Sequence, residues 1–120
     1  MFYKMHEYPL TKQIIEISEK YAKEHNSKNV LKINLVVGEY SGVVADSIML
    51  YFDIISSGTL CENASLNIKK IKPLLKCKKC GYFFKRKPFT FSCTKKGCNG
   101  EGEPTEIGRE FYISSIEVDL

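Results

Sequence analysis

A chain of 120 residues with 43% hydrophobic and 27% charged side chains suits one compact domain with a small appended module and is too short for a large multidomain enzyme. Eighteen Lys and Arg against fourteen Asp and Glu give a net charge of +4, too mild to demand a nucleic-acid partner, and no apolar run approaches the roughly 18 residues of a membrane span. The opening MFYKMHEYPL has neither a long apolar stretch nor a small-residue cleavage site, so no secretory leader is expected and a reducing cytoplasm is the expected setting.

Residues 9–24 read as an amphipathic helix, with Leu10, Ile14, Ile17 and Tyr21 at helical spacing and Lys12, Glu16, Glu19, Lys20 and Lys23 mostly on the other side. Pro9 suits its first turn. The helix ends near His25, which is explained by capping of free carbonyls and by its interaction with the helix dipole. Leu31, Ile33, Leu35 and Val37 then alternate with Lys32 and Asn34 as in a strand with one face inward, stopped by Gly38. A second helix over residues 44–57 places Ile48, Phe52 and Ile55 on one face and meets Gly58 where a C′ glycine is expected. Residues 65–71 form a second strand. Pro73 opens a cysteine-bearing segment that Gly100, Gly102 and Pro104 close, and residues 111–119 resume a strand pattern.

The expected fold is therefore α+β, close to α/β: a small mixed three-stranded sheet with two helices, interrupted by a four-cysteine zinc-knuckle module. Residues 1–72 and 105–120 make a discontinuous α/β domain, and residues 73–104 make the metal module. A helix between the first two strands permits a right-handed parallel crossover, whereas the pattern leaves the direction of the last strand open.

Four of the five cysteines cluster. Cys77 and Cys80 form C-x2-C, twelve residues intervene, and Cys93 and Cys98 form C-x4-C, while Cys61 stands apart as a small apolar residue. Each pair can fold a turn that aims two sulfurs at one point, and two such turns supply the tetrahedral four-sulfur set that Zn2+ accepts; an iron site of rubredoxin type would use the same sulfurs. Gly81 and Gly97 suit these turns, since positive φ lets backbone N–H groups point toward the thiolates.

Half of the chain's eighteen basic residues surround this segment: Lys72, Lys76, Lys78, Lys79, Lys85, Arg86, Lys87, Lys95 and Lys96, with no acid between residues 72 and 100. They offset the net −2 of four thiolates around a dication, and they also suit a docking face for an acidic protein. Tyr82, Phe83, Phe84, Phe89 and Phe91 interleave with them, a composition that single-strand nucleic-acid binders share. A module this small has little else from which to build a core, so most of these rings are expected to pack around the metal.

No catalytic pattern is present: G-K-[ST] and G-x-S-x-G are both missing, so the chain is not expected to be an enzyme. His6, followed at once by Glu7, offers an imidazole, a carboxylate and backbone amides ahead of the first helix. That donor set suits Ni(II) or Cu(II), although composition by itself favours an idle, exposed side chain.

The order Met5-His6-Glu7-Tyr8-Pro9-Leu10, a helix, a strand ending Val37-Gly38-Glu39, Phe52-Asp53-Ile54-Ile55 with Gly58-Thr59, the two cysteine pairs and the closing Ile116-Glu117-Val118 resembles the HypA/HybF family of hydrogenase nickel-incorporation proteins over nearly the whole chain. The resemblance implies Ni(II) as cargo at His6 and neighbouring backbone nitrogens, with Glu7 as a nearby ligand or partner contact. It also implies structural Zn2+ on Cys77, Cys80, Cys93 and Cys98. Met1, Phe2, Tyr3 and Lys4 precede the family's M-H-E here, so a free terminal amine beside the histidine exists only in a chain starting at Met5, and C-x4-C replaces the commoner C-x2-C. The function implied is a metallochaperone acting with a HypB-type GTPase on the [NiFe]-hydrogenase large-subunit precursor, with self-association left open and no membrane partner. Four buried thiolates would release metal too slowly for such delivery, which a loose terminal site permits. The competing readings are a zinc-ribbon nucleic-acid binder and a purely structural adaptor.

Overall fold

A computed structural model describes residues 7–120. Helix α1 spans Glu7–Glu24, strand β1 Val30–Gly38, helix α2 Ala45–Ile55 and strand β2 Ser65–Ile71. Three short strands follow, β3 Leu75–Cys77, β4 Phe83–Phe84 and β5 Gly102–Pro104, and β6 Phe111–Val118 ends the fold. The larger sheet has the order β2-β1-β6, with β2 parallel and β6 antiparallel to β1, so it is mixed and the open question of the last strand is answered. The cysteine segment, expected as knuckles alone, forms a second sheet of its own in the order β4-β3-β5. This sheet extends the molecule rather than covering the first: the radius of gyration is 18.5 Å, against about 14 Å for a compact chain of this length.

Both helices pack on one face of the larger sheet, where Ile14, Ile15, Ile33, Leu35, Val37, Ile48, Phe52, Cys61 and Leu66 form the core. The face of α1 that is buried differs from the one its large apolar residues suggest. Ile17 is 52% exposed and Tyr21 lies outside the core, whereas Thr11, Ile15, Ser18 and Ala22 are buried. Small side chains permit close approach, and the two hydroxyls satisfy themselves within the helix, Thr11 Oγ1 donating to Glu7 O at 2.6 Å and Ser18 Oγ to Ile14 O at 2.8 Å. Leu31 also departs from its expected inward position. Between the pairs Val30↔Val118 and Lys32↔Glu117 the register shifts, and Leu31 is left without a partner at this bulge, facing solvent.

The two sheets meet at a glycine joint. Gly38 N donates to Glu110 O at 2.7 Å, Tyr40 N to Gly108 O at 2.7 Å and Thr105 Oγ1 to Leu74 O at 2.7 Å. Gly38 and Gly108 are in backbone contact: a Cβ on Gly38 would overlap the Gly108 carbonyl. Neither residue can therefore carry a side chain while the strands leave the larger sheet at this angle.

Candidate metal centre

The cysteine module positions its sulfurs through backbone turns rather than through a core. Cys77 ends β3, and the chain turns at once, with Gly81 N donating to Cys77 O at 3.0 Å. Opposite, Cys93 N donates to Gly100 O at 2.8 Å and Cys98 N to Lys95 O at 3.1 Å. Gly81 and Gly97 take φ of +77° and +81°, as the sequence suggested. Amides then face sulfur: Lys79 N and Cys80 N lie 3.3 and 3.4 Å from Cys77 Sγ, and Lys95 N lies 3.4 Å from Cys93 Sγ.

All four sulfurs lie within 4.8 Å of one another, with Cys77–Cys98 at 3.6 Å and Cys80–Cys93 at 3.7 Å. Sulfurs held about 2.3 Å from a central Zn2+ in a tetrahedron are separated by about 3.8 Å, so the donor set fits one ion. Charge makes the same demand. The backbone N–H of Cys80, ahead of that of Lys79, pulls the Cys77 thiol down to about 6. Burial pushes Cys93 up to about 12, with its neighbouring cysteine side chains adding to the rise. Cys77 thus ionises more readily than Cys93, and a cation bound between the sulfurs favours the thiolate form of its ligands.

The burial expected of this centre is not found. Cys77 alone is buried, Cys93 and Cys98 are half-buried and Cys80 is exposed. The rings do not close over it either: of the five aromatics only Phe84 is buried, and Phe89 is 100% exposed. Backbone turns bring the sulfurs together, so no shell of side chains is required. Among the basic residues, Lys79 Nζ donates to Cys98 O at 3.1 Å and Lys78 pairs with Glu101 at 3.3 Å, just beyond the acid-free stretch. Arg86 lies 4.6 Å over Phe91 and Lys76 5.6 Å over Phe83.

At the other end, His6 and Met5 lie outside the described residues. Glu7 is the first residue of α1 and is buried, with Oε2 accepting from Val44 N at 3.1 Å. Val44 is the N-cap residue of α2 and supplies no side-chain cap, so Glu7 caps that helix from a distance of 37 residues in sequence. Sequence reasoning missed this, because a cap supplied from another element leaves no local signature. His25 behaves as expected at the end of α1, its Nδ1 2.9 Å from Tyr21 O. No helix among the described residues is long and apolar enough to cross a membrane.

A mixed α/β unit joined by a glycine contact to a four-cysteine metal module defines a small metal-handling protein. The family model described as "Hydrogenase/urease nickel incorporation, metallochaperone, hypA" matches residues 5–118, and the chain belongs to this HypA family of nickel metallochaperones for hydrogenase maturation. It is similar to hydrogenase maturation factors HypA from Caldanaerobacter subterraneus subsp. tengcongensis (38% identity, 96% of this chain and 100% of the relative) and from Helicobacter hepaticus (32%, 97% and 98%). Among solved structures, it resembles a solution structure of HypA protein with a TM-score of 0.68 at 25% identity, covering 95% of this chain and 96% of that one. It also resembles the solution structure of the Ni metallochaperone HypA from Helicobacter pylori, with a TM-score of 0.60 at 26% identity, covering 93% and 96%.

Proposed function

We propose that this chain carries Ni(II) at His6, aided by the backbone nitrogens of Met5, His6 and Glu7, and delivers it in the cytoplasm to the large-subunit precursor of a [NiFe]-hydrogenase together with a HypB-type GTPase. Cys77, Cys80, Cys93 and Cys98 hold Zn2+, which when bound supplies a fixed dication crosslinking the two turns of residues 73–104. The remainder, residues 1–72 and 105–120, is the nickel-carrying unit. The chain makes and breaks no substrate bond and acts as a carrier. The family description covers hydrogenase and urease, and the similar relatives named as hydrogenase maturation factors favour the former.

The observation that carries this reading is a division of labour. The four sulfurs make a complete donor set for one ion, membership of a nickel metallochaperone family calls for a second, exchangeable one, and the imidazole of His6 with the neighbouring backbone nitrogens is a donor set that suits Ni(II). Glu7 supports it from below. Oε2 of its carboxylate accepts from Val44 N, which fixes the residue next to His6, and Glu7 serves as a secondary nickel ligand or a partner contact.

Calorimetric titration of zinc-loaded protein tests the reading, using the chain from Met1 and a version from Met5. One Ni(II) per chain is expected, abolished by His6→Ala with zinc content and circular dichroism unchanged. Cys80→Ser should instead lose zinc. Nickel binding that survives His6→Ala would sink the assignment. A structural adaptor would take up no second metal.

A further inference from the structure

The turn at residues 87–90 has Pro88 and Phe89 at its centre, with Thr90 N 3.4 Å from Lys87 O. Phe89 adopts φ of +64°, the left-handed setting that such a turn requires of its second central residue and that glycine or asparagine ordinarily supplies. Its ring is 100% exposed and returns no packing to the fold. A bulky residue held in a disfavoured backbone conformation without local compensation points to a role outside the chain.

The surroundings specify what kind of partner fits. Lys85, Arg86 and Lys87 lead into the turn, all exposed, and none makes an ion pair among the described residues. The turn borders a cleft of about 470 Å³ where the two sheets meet, in which Lys72 and these three residues face a single acid, Glu39. Nucleic acid is the less favoured occupant. Single-strand binders present a row of open ring faces, whereas here Phe91 already carries Arg86 and Phe83 carries Lys76. A fully exposed ring beside cations that make no ion pair among the described residues is instead the anatomy of an aromatic anchor in a protein interface.

We propose that Phe89 is the anchor of a docking surface: its ring enters a small apolar socket on an acidic partner protein, while Lys85, Arg86 and Lys87 meet carboxylates around that socket. The inference rests on the nickel-delivery reading, since the partner is a protein that hands over or receives the metal.

The test measures affinity of the full zinc-loaded chain for purified large-subunit precursor and, separately, for the HypB-type GTPase, with a single-stranded RNA 20-mer as a third probe. Phe89→Gly should weaken binding to one of the two proteins by about tenfold or more. It should not lower thermal stability, because glycine suits the turn, so a misfolded variant cannot explain the loss. Replacing Lys85, Arg86 and Lys87 together by Gln should flatten the salt dependence of the same complex. Protein binding that Phe89→Gly leaves within about twofold of the original, below the threshold of an anchor residue, overturns the inference and spares the delivery reading. Loss confined to RNA overturns it in favour of a nucleic-acid site. Failure of the unmodified chain to bind either protein removes both.

Discussion

Replacement of Gly38 by alanine strikes the joint between the two sheets. The added Cβ would overlap the Gly108 carbonyl and lie 2.7 Å from Arg109 N, and Pro73 packs directly against Gly108. The strand ends must separate, at the expense of the hydrogen bonds Gly38 N to Glu110 O and Tyr40 N to Gly108 O. Two backbone bonds at about 1 kcal/mol each, with about 1–3 kcal/mol of overpacking, predict a destabilisation of about 3–5 kcal/mol. Gly42→Ala is the control: Gly42 has φ of +84° but open space around its Cα, so only the left-handed backbone is penalised, at about 1–2 kcal/mol. Urea unfolding of the zinc-loaded proteins, followed by circular dichroism, compares the two. Equal losses, or a smaller loss for Gly38→Ala, would refute the idea that a rigid glycine contact sets how the cysteine module leaves the larger sheet.

Glu7→Ala removes a charge-assisted bond to an amide at the start of α2 and should cost about 1.5–3 kcal/mol in a thermal melt, with Glu7→Gln costing less because an acceptor oxygen persists. A loss under about 0.5 kcal/mol, the scale of an ordinary surface change, would show that Glu7 is no brace. Burial, then the charge of Glu19, pushes the Cys61 thiol up to about 11 despite the bond from Thr59. The unfolded chain therefore ionises first as pH rises from about 9, and stability present below that pH is lost progressively up to about 11, by ~2–3 kcal/mol in total. Cys61→Ala should lack this share of the alkaline loss in unfolding titrations between those values, and an identical slope in both proteins would contradict it.

Much of the fold was legible in the sequence because its signals are local. The alternation of Ile33, Leu35 and Val37, the bounds of β2 and the spacing of Cys77, Cys80, Cys93 and Cys98 each follow from chemistry within a few residues. The misses arise where a distant element decides. Apolar spacing placed Ile17 and Tyr21 inward, but helix packing favoured the small Thr11, Ser18 and Ala22, whose hydroxyls the helix itself satisfies. Leu31 faces outward because of a bulge set by its pairing with β6. The rings of the metal module were assigned to a core that the backbone turns make unnecessary, and the capping of α2 by Glu7 joins residues that no sequence window contains together.

The central claim, that the exchangeable ion and the fixed ion occupy chemically different ends of one chain, is tested most directly by nickel K-edge X-ray absorption on protein loaded with one equivalent each of zinc and nickel. The account predicts a nickel shell of nitrogen and oxygen with an imidazole contribution that His6→Ala removes. A nickel–sulfur shell would contradict it.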